Sequence, residues 1–517
     1  MKNLPLGIQT FKNIIEDDYL YVDKTKDIYQ LLAHKGKFFF LSRPRRFGKS
    51  LLVTTLEEIF LGNHELFKGL WIYDKIEWKK YPVIRIDFSS MDIRNSETFL
   101  KSFNHQIDSF YKAHSIKVNK NVDYKDKFKD LIIELSKKEK VVILIDEYDK
   151  PIINFVEKID IAKENRDILK NFYETIKSCD EYIRFAFLTG VSKFSKISVF
   201  SGLNNLTDIT LADRFSTITG YTEEQLYFYF AERINLLAQK FNKTEEEVKD
   251  QIKTWYNGYS WDGKSFVYNP YSILLLFENQ KINNYWFQSA TPTFLLKIIR
   301  EHQINVIKFE NKPVHSKIFD SYDLENMNIE ALLFQTGYLT IKDVIEPDLP
   351  FSRYILNYPN MEVKESFLNN ILMNFSENSD NDEIMIFNLV ENLKNNDLES
   401  FFQIIKDIFY KIPAVIFMAD REAYYQTIIY VILTLIGIRI NVEIHTNKGR
   451  IDAVAETNEK IYVMEFKMSS SNQAIKQIET KKYYEKYLSS GKEILLVGIS
   501  FDTEERNIRD YTVKIFK

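Results

Sequence analysis

The chain has 517 residues, 45% of them hydrophobic, and a net charge of −4; that is too long for one ordinary core, and roughly three domains is the expectation. The near-neutral balance, with a pI of about 6.1, excludes a global basic field, so any nucleic-acid contact has to come from a local patch. The single cysteine, Cys179, excludes a disulfide framework and a cysteine zinc site, fits a reducing cytosol, and reads as a small buried apolar residue.

The first eleven residues hold no long apolar core, so no secretory leader is expected. The most apolar runs, at 38–41, 141–145 and 428–438, fall short of the roughly 18 residues that suggest a membrane span. A cytoplasmic protein without a membrane segment is the expectation. Residues 1–220 alternate short apolar runs with amphipathic helical patterns. The runs at 38–41, 83–88, 141–145 and 185–188 predict strands of a parallel sheet covered on both faces. From 221 to 345 the pattern is mostly helical, with Thr222 and Gln225 spaced as a capping box. Aromatic clusters recur there at Trp255-Tyr256-Asn257-Gly258-Tyr259, Tyr268-Asn269-Pro270-Tyr271 and Tyr285-Trp286-Phe287. Pro347, Pro350 and Pro359 mark a junction, and 346–409 reads as a linker and helical junction, with a polar surface loop at 376–383. Residues 410–517 read as a last domain: a helix, strands from Ile438 onward, a helix around 472–488 and a final strand at 493–499.

The strand at 38–41 runs into Ser42-Arg43-Pro44-Arg45-Arg46-Phe47-Gly48-Lys49-Ser50 and then a helical pattern. Strand, loop and helix in that order are what a phosphate-binding loop needs. Backbone N–H groups and the helix N-terminus cradle phosphate, Lys49 reaches the β- and γ-phosphates, and Ser50 holds Mg²⁺. Arg43 stands where the common G-x-x-x-x-G-K-[ST] pattern has its first glycine. The plain alternative is a basic surface loop beside a helix start. A second motif weighs against it: the apolar strand 141–145 ends in Asp146-Glu147, the form of a Walker B element. Asp146 would hold Mg²⁺ through water and Glu147 would polarise the attacking water. At the next strand end Thr189 is a candidate sensor of the γ-phosphate, or equally a cap. Arg43, Arg46, Phe47, Gly48, Lys49, Ser50, Asp146 and Thr189 are thus the expected ATP-binding set. Arg45 joins the other arginines toward phosphate, and Arg214, as an arginine finger, carries little weight.

These motifs resemble the bacterial AAA-ATPase-like family. The resemblance rests on Leu6-Gly7-Ile8-Gln9, Tyr21-Val22-Asp23-Lys24-Thr25, Arg43 to Ser50, Ile145-Asp146-Glu147-Tyr148-Asp149-Lys150-Pro151, Thr189-Gly190-Val191-Ser192-Lys193-Phe194 and Ser201-Gly202-Leu203-Asn204-Asn205. It implies an ATPase core of the additional-strand type with a helical lid, and it makes arginine at the position of Arg43 a family trait.

Toward the C-terminus, Gly449-Arg450-Ile451-Asp452 precedes Tyr462-Val463-Met464-Glu465-Phe466-Lys467. Asp452 would open one strand of a hairpin that turns at 456–460. Period-2 alternation places Glu465 and Lys467 on one face of the other strand. Two carboxylates and a lysine suit Mg²⁺-assisted phosphodiester cleavage: Asp452 and Glu465 bind the cation and Lys467 positions the nucleophile. An edge hairpin with a surface Glu-x-Lys pair is the plain alternative. The pattern resembles the PD-(D/E)XK nuclease superfamily, with further matches at Glu422, Tyr424, Tyr425, Gly437, Glu443, Gln477, Ile478, Lys481, Tyr483, Val497, Gly498 and Phe501. Tyr-His is usual in that branch where this chain has Tyr424-Tyr425. Glu422 is either a further metal ligand or an ordinary helix acid, and Lys481 and Lys482 either touch a phosphate backbone or solvate a helix face.

The expected fold class is α/β: a P-loop NTPase parallel sheet with a helical lid or middle region, plus a C-terminal α/β restriction-endonuclease-like domain. The expected function is ATP binding and hydrolysis coupled to a Mg²⁺-dependent nuclease acting on DNA or RNA. A nucleotide switch with a non-catalytic C-terminal module, and a scaffold that meets a protein partner or a second copy through the aromatic middle region, are the other two readings.

Overall fold

The computed structural model describes the chain apart from residues 119–121, 156–157, 194–202, 204, 287–308, 321–327, 346–351, 376–381, 411–421, 437–438, 447–448, 458 and 517, and apart from the side chains of 320, 371–375, 382–384, 386, 394, 422–424 and 439–450. Phe194, Ser201, Gly202, Asn204, Phe287, Pro347, Pro350, Gly437 and most of the polar loop at 376–383 therefore lie outside the described residues. So do the side chains of Glu422, Tyr424, Glu443 and Arg450. By contacts the chain divides into two compact units, Met1–Ala290 with Asn311–Val363, and Thr291–Glu310 with Lys364–Lys517.

The first unit is built on five parallel strands, β1 (Phe38–Ser42), β2 (Val83–Asp87), β3 (Val141–Asp146), β4 (Ile183–Gly190) and the two-residue β5 (Thr207–Asp208), in the order β2-β3-β4-β1-β5. Parallel neighbours need crossover connections, and the helices Lys49–Phe60, Ser96–Ala113, Tyr124–Ser136 and Ile159–Ser178 supply them. Helices on both faces explain why every residue of β1 and β3 is buried, whereas the edge strand β2 alternates. β4 lies between β1 and β3, the additional-strand order. Because all strands run the same way, the ends of β1, β3 and β4 come together on one rim of the sheet.

The stretch after the sheet carries the helices Glu223–Tyr229, Ala231–Phe241, Glu245–Tyr256 and Pro270–Asn279. Thr222 and Gln225 form the expected capping box at the first of them. The aromatic clusters face inward: Tyr256, Tyr259, Tyr268, Tyr285 and Trp286 are buried, so they are core and not a recruiting surface. An antiparallel sheet of β6 (Lys312–His315), β7 (Thr340–Ile345) and β8 (Arg353–Asn357), in the order β6-β8-β7, occupies sequence expected to be helical or a junction. Pro313 masked β6, yet β6 is an edge strand, where a missing N–H is tolerated.

The second unit has the helices Met361–Phe375, Asp382–Lys394, Leu398–Tyr410 and Glu422–Leu435 along its chain, the first of which begins in the other unit. They lead to a mixed sheet of β9 (Arg439–Thr446), β10 (Gly449–Glu456), β11 (Lys460–Lys467), β12 (Glu493–Asp502) and β13 (Asn507–Ile515), in the order β13-β12-β11-β10-β9. β11 and β12 are parallel and the other pairs antiparallel. The expected helix is shorter, Ser471–Lys481, followed by a 3₁₀ stretch, Tyr483–Ser490. The strand read as the last is followed by β13 at the sheet edge, which runs from buried Asn507 and Ile508 to exposed Lys514 and Ile515. Asp452 lies inside β10 rather than at its start.

The helix Ser471–Lys481 packs closely on β12 at Gly498, where an added Cβ would fall 2.2 Å from the Ser471 carbonyl oxygen. Backbone cannot rotate aside as a side chain can. Gly498→Ala should therefore destabilise the second unit by about 1–3 kcal/mol, the usual range for overpacking, read as a lower urea midpoint. An unchanged midpoint would contradict this packing.

Candidate functional site

The loop after β1 turns through two residues with positive φ, Arg46 at 66° and Gly48 at 82°; Arg43 is not among them. An arginine can therefore stand at the first-glycine position without backbone strain. Gly48 has open space where a Cβ would go, so its glycine is required by backbone conformation, not by crowding. The Lys49 ammonium is buried and donates to the carbonyls of Arg43 at 3.0 Å and Pro44 at 2.9 Å. Burial pushes its pKa down, against the pull of Glu147, Asp146 and Asp149.

Across the rim, the buried Asp146 carboxylate at the end of β3 faces the Lys49 ammonium. Burial holds Asp146 up at about 6, with Asp87 and Glu147 adding to the rise and Ser50 and Lys49 opposing it. Asp87 ends β2 in register with Asp146 at the end of β3, and sequence reading had not singled it out. Glu147 follows in the left-handed region at φ 49°. Its carboxylate pairs with Lys150 at 3.4 Å, both side chains about a third exposed. Asp149 was quoted only as part of a motif. Its buried Oδ2 accepts from the Val191 and Ser192 N–H groups at 3.0 and 2.6 Å and from the Ser192 hydroxyl at 2.7 Å, and so fixes the turn after β4.

Three of the expected nucleotide-binding side chains are engaged within the protein. Arg43 is fully buried. Its Nη1 donates to the Ser42 and Thr210 carbonyls, both at 2.9 Å, its Nη2 to the Phe215 carbonyl at 3.1 Å, and its guanidinium lies 3.8 Å from the Trp261 ring centroid. Phe47 is buried edge-on against Tyr259 and Trp261, at 4.7 and 5.4 Å between centroids, which leaves only its backbone for phosphate. The Thr189 hydroxyl is fully buried and donates at 2.8 Å to the carbonyl of Leu41, its partner across the strands β1 and β4. Arg46 lies over Tyr271, 3.6 Å from the ring centroid, and Arg214 bonds Gln30 at 2.9 Å. Beside Gly48 lies a small cavity of about 60 Å³, lined among others by Pro5, Tyr21, Leu51, Thr219 and Tyr221, well below the roughly 300–1,000 Å³ of small-molecule sites.

In the second unit, β10 and β11 pair with Ala453 opposite Met464. One step further along the same register Asp452 comes opposite Glu465. The Phe466 N–H donates to Asp452 Oδ2 at 2.9 Å, and Lys467 Nζ lies 3.1 Å from Glu465 Oε1. Gln477, on the helix that covers this face, donates to the same Glu465 oxygen. Glu465 is 1% exposed, and its Oε2 is buried without a hydrogen-bond partner. Burial first, then the Asp452 charge, pushes the Glu465 carboxyl well above the usual glutamate range, against the pull of Lys467. A buried carboxylate oxygen with no donor, beside a second carboxylate, is a donor set that fits a hard divalent cation. Among the described residues no group of three or more His, Cys, Asp and Glu side chains converges on a metal position. Tyr425, where the superfamily branch has histidine, is buried; it stacks on Phe501 at 4.3 Å and donates to the Asp502 carbonyl at 3.2 Å, away from this cluster of acids.

Residues 5–200 match the family model described as predicted AAA-ATPase, and residues 420–511 match the PD-(D/E)XK nuclease superfamily. A protein from Azotobacter chroococcum mcd 1, named as an uncharacterized protein in the vnfD 5′ region, is 37% identical over 524 residues, covering 99% of each chain. Among solved structures, the Aeropyrum pernix ORC1 protein in complex with DNA aligns over 69% of this chain and 96% of that one, at 8% identity and a TM-score of 0.23, too low for the likeness to bear on the fold. Among the described residues no helix is long and apolar enough to cross a membrane.

The buried acid pair sets a pH dependence. With its pKa raised in the folded state, Glu465 keeps a proton that the unfolded chain has already lost. Its contribution to stability is therefore full below the ordinary glutamate pKa and falls as pH rises toward the raised folded value. In chelator, Glu465→Gln should raise the thermal midpoint relative to the parent at about pH 8 and much less at about pH 5. An equal effect at both pH values would contradict the shift.

Proposed function

Since this chain belongs to the family of predicted AAA-ATPases that carry a C-terminal PD-(D/E)XK nuclease superfamily domain, we propose that it is an ATP-binding and ATP-hydrolysing protein whose nucleotide cycle controls a Mg²⁺-dependent phosphodiesterase acting on DNA or RNA. The observation that supports the reading is the buried Lys49 ammonium facing the Asp146 and Glu147 carboxylates, because it brings the two motifs together on one rim of the sheet. In this reading the backbone from Arg46 to Gly48 and the Lys49 ammonium hold the phosphates, and Glu147 polarises water. Mg²⁺ would sit at Ser50 and Asp146 and offset phosphate charge there.

At the second site Asp452 and Glu465 would hold Mg²⁺, which supplies water activation and charge neutralisation at the scissile phosphate. Lys467 positions the nucleophile, and Gln477 keeps the Glu465 carboxylate aimed. A non-catalytic C-terminal binding module is the second reading, favoured by the absence of a third convergent carboxylate among the described residues. We place the protein in the cytoplasm and allow a homo-oligomer or a protein partner at the middle region. With its aromatic clusters buried, a contact there would use exposed groups such as Phe228, 77% exposed.

Two experiments test the assignments. Lys49→Ala should cost about 1.5–3 kcal/mol of ATP affinity by calorimetry, the value of a charge-assisted phosphate contact, while Glu147→Gln should bind ATP and turn it over slowly. Unchanged affinity in the first, or parental turnover in the second, rejects the corresponding role. Asp452→Ala should abolish Mg²⁺- or Mn²⁺-dependent cleavage of DNA or RNA and leave ATP turnover largely intact. Cleavage at the parental rate refutes the site, and a parent inert on every substrate favours the binding module.

A further inference from the structure

Arg43 is the least expected side chain of the loop. Its charge is fully buried, its pKa lowered to about 9 by desolvation, and none of its hydrogen bonds reaches a carboxylate. Three backbone carbonyls and the face of Trp261 hold it instead. Two of those carbonyls, at Thr210 and Phe215, belong to the segment after β5, and Trp261 follows the helix Glu245–Tyr256. The same short aromatic segment receives Phe47, and Pro44 is pressed by Gly337, where an added Cβ would come within 2.8 Å of the Pro44 Cβ. Four neighbouring loop positions, Arg43, Pro44, Arg46 and Phe47, are thus tied to groups distant in sequence. At the same two residues, Arg43 and Pro44, the backbone carbonyls hold the Lys49 ammonium. A phosphate that draws Lys49 away removes a cationic donor from two carbonyls whose residues are anchored to Trp261 and Gly337.

On the nucleotide-binding reading above, we propose that Arg43 is a positioning residue rather than a phosphate ligand: it clamps the loop to the Thr210–Phe215 segment and Trp261, so that nucleotide occupancy of the loop is sensed at Trp261. A planar guanidinium with several fixed donors can serve three carbonyls and an aromatic face together. A lysine cannot. The clamp takes the place of the glycine that the common loop pattern has there, and it lends the loop a rigid attachment that a glycine could not provide.

The test uses the full chain and a non-hydrolysable ATP analogue with Mg²⁺. Affinity is read by equilibrium dialysis, and tryptophan emission is recorded in parallel. The parent should bind and show an emission change, and that change should be absent in Trp261→Phe. Arg43→Lys, with folding checked by circular dichroism and thermal midpoint, should bind about tenfold or more weakly, the scale of a slight misplacement of a binding group, and give a reduced emission response. Binding by the parent with an emission change that survives in Trp261→Phe, or with none at all, would overturn the coupling while leaving the nucleotide reading intact. A folded Arg43→Lys protein with parental affinity and response would reduce Arg43 to a purely structural group. If Arg43→Lys does not fold, the Trp261→Phe comparison still decides the coupling. No binding by the parent would remove the nucleotide reading and this inference together.

Discussion

The approach of the Lys49 ammonium to the Asp146 carboxylate depends on a constraint of parallel sheets. The two residues come from motifs far apart in sequence, and they meet because β1, β4 and β3 are neighbours that all end on the same rim. Helices covering both faces enforce the parallel order, and the order sets the chemistry. The strand between the two motifs delivers Gly190, whose absent side chain leaves room for Tyr148 and Asp149. Asp149 in turn fixes the turn that follows β4. Desolvation at this rim raises the Asp146 pKa and lowers that of Lys49. Each shift weakens the charge that the group would need alone, and each would be relieved by a ligand carrying the opposite charge: Mg²⁺ for the acid, phosphate for the lysine.

The second unit meets the same problem with different elements. Here an antiparallel hairpin brings Asp452 opposite Glu465, and a helix laid tightly over Gly498 dries the site. Two carboxylates in a dry place repel each other, and one answers by holding its proton. Lys467 and Gln477 occupy one oxygen of Glu465 and leave the other without a donor. That asymmetry is costly in the protein alone. On the proposed reading, a divalent cation would supply the partner that this oxygen lacks.

Much of this was legible in the sequence. Continuous apolar runs gave β1 and β3 because both their faces are buried, and period-2 alternation put Glu465 and Lys467 on one face. The capping box at Thr222 and Gln225 is local chemistry and was readable as such. What escaped was decided by tertiary contacts. β6 carries a proline that is harmless only at a sheet edge, and β5 is too short to leave a pattern. The side chain of Arg43 looked like a phosphate ligand because it sits in a loop with that motif; nothing local announces carbonyl groups more than 160 positions away. The aromatic clusters of the middle region looked available for a partner, but aromatic residues pack cores as readily as they build interfaces.

The central claim is that one chain holds two separate cation sites, one for a nucleotide and one for a phosphodiester. Anomalous scattering from crystals grown with Mn²⁺ and a non-hydrolysable ATP analogue tests it most directly. The account predicts one peak against Ser50 and Asp146 next to the nucleotide phosphates, and another against Asp452 and Glu465. Nucleotide density at the loop with no peak between Asp452 and Glu465, at Mn²⁺ concentrations that fill the first site, would contradict it.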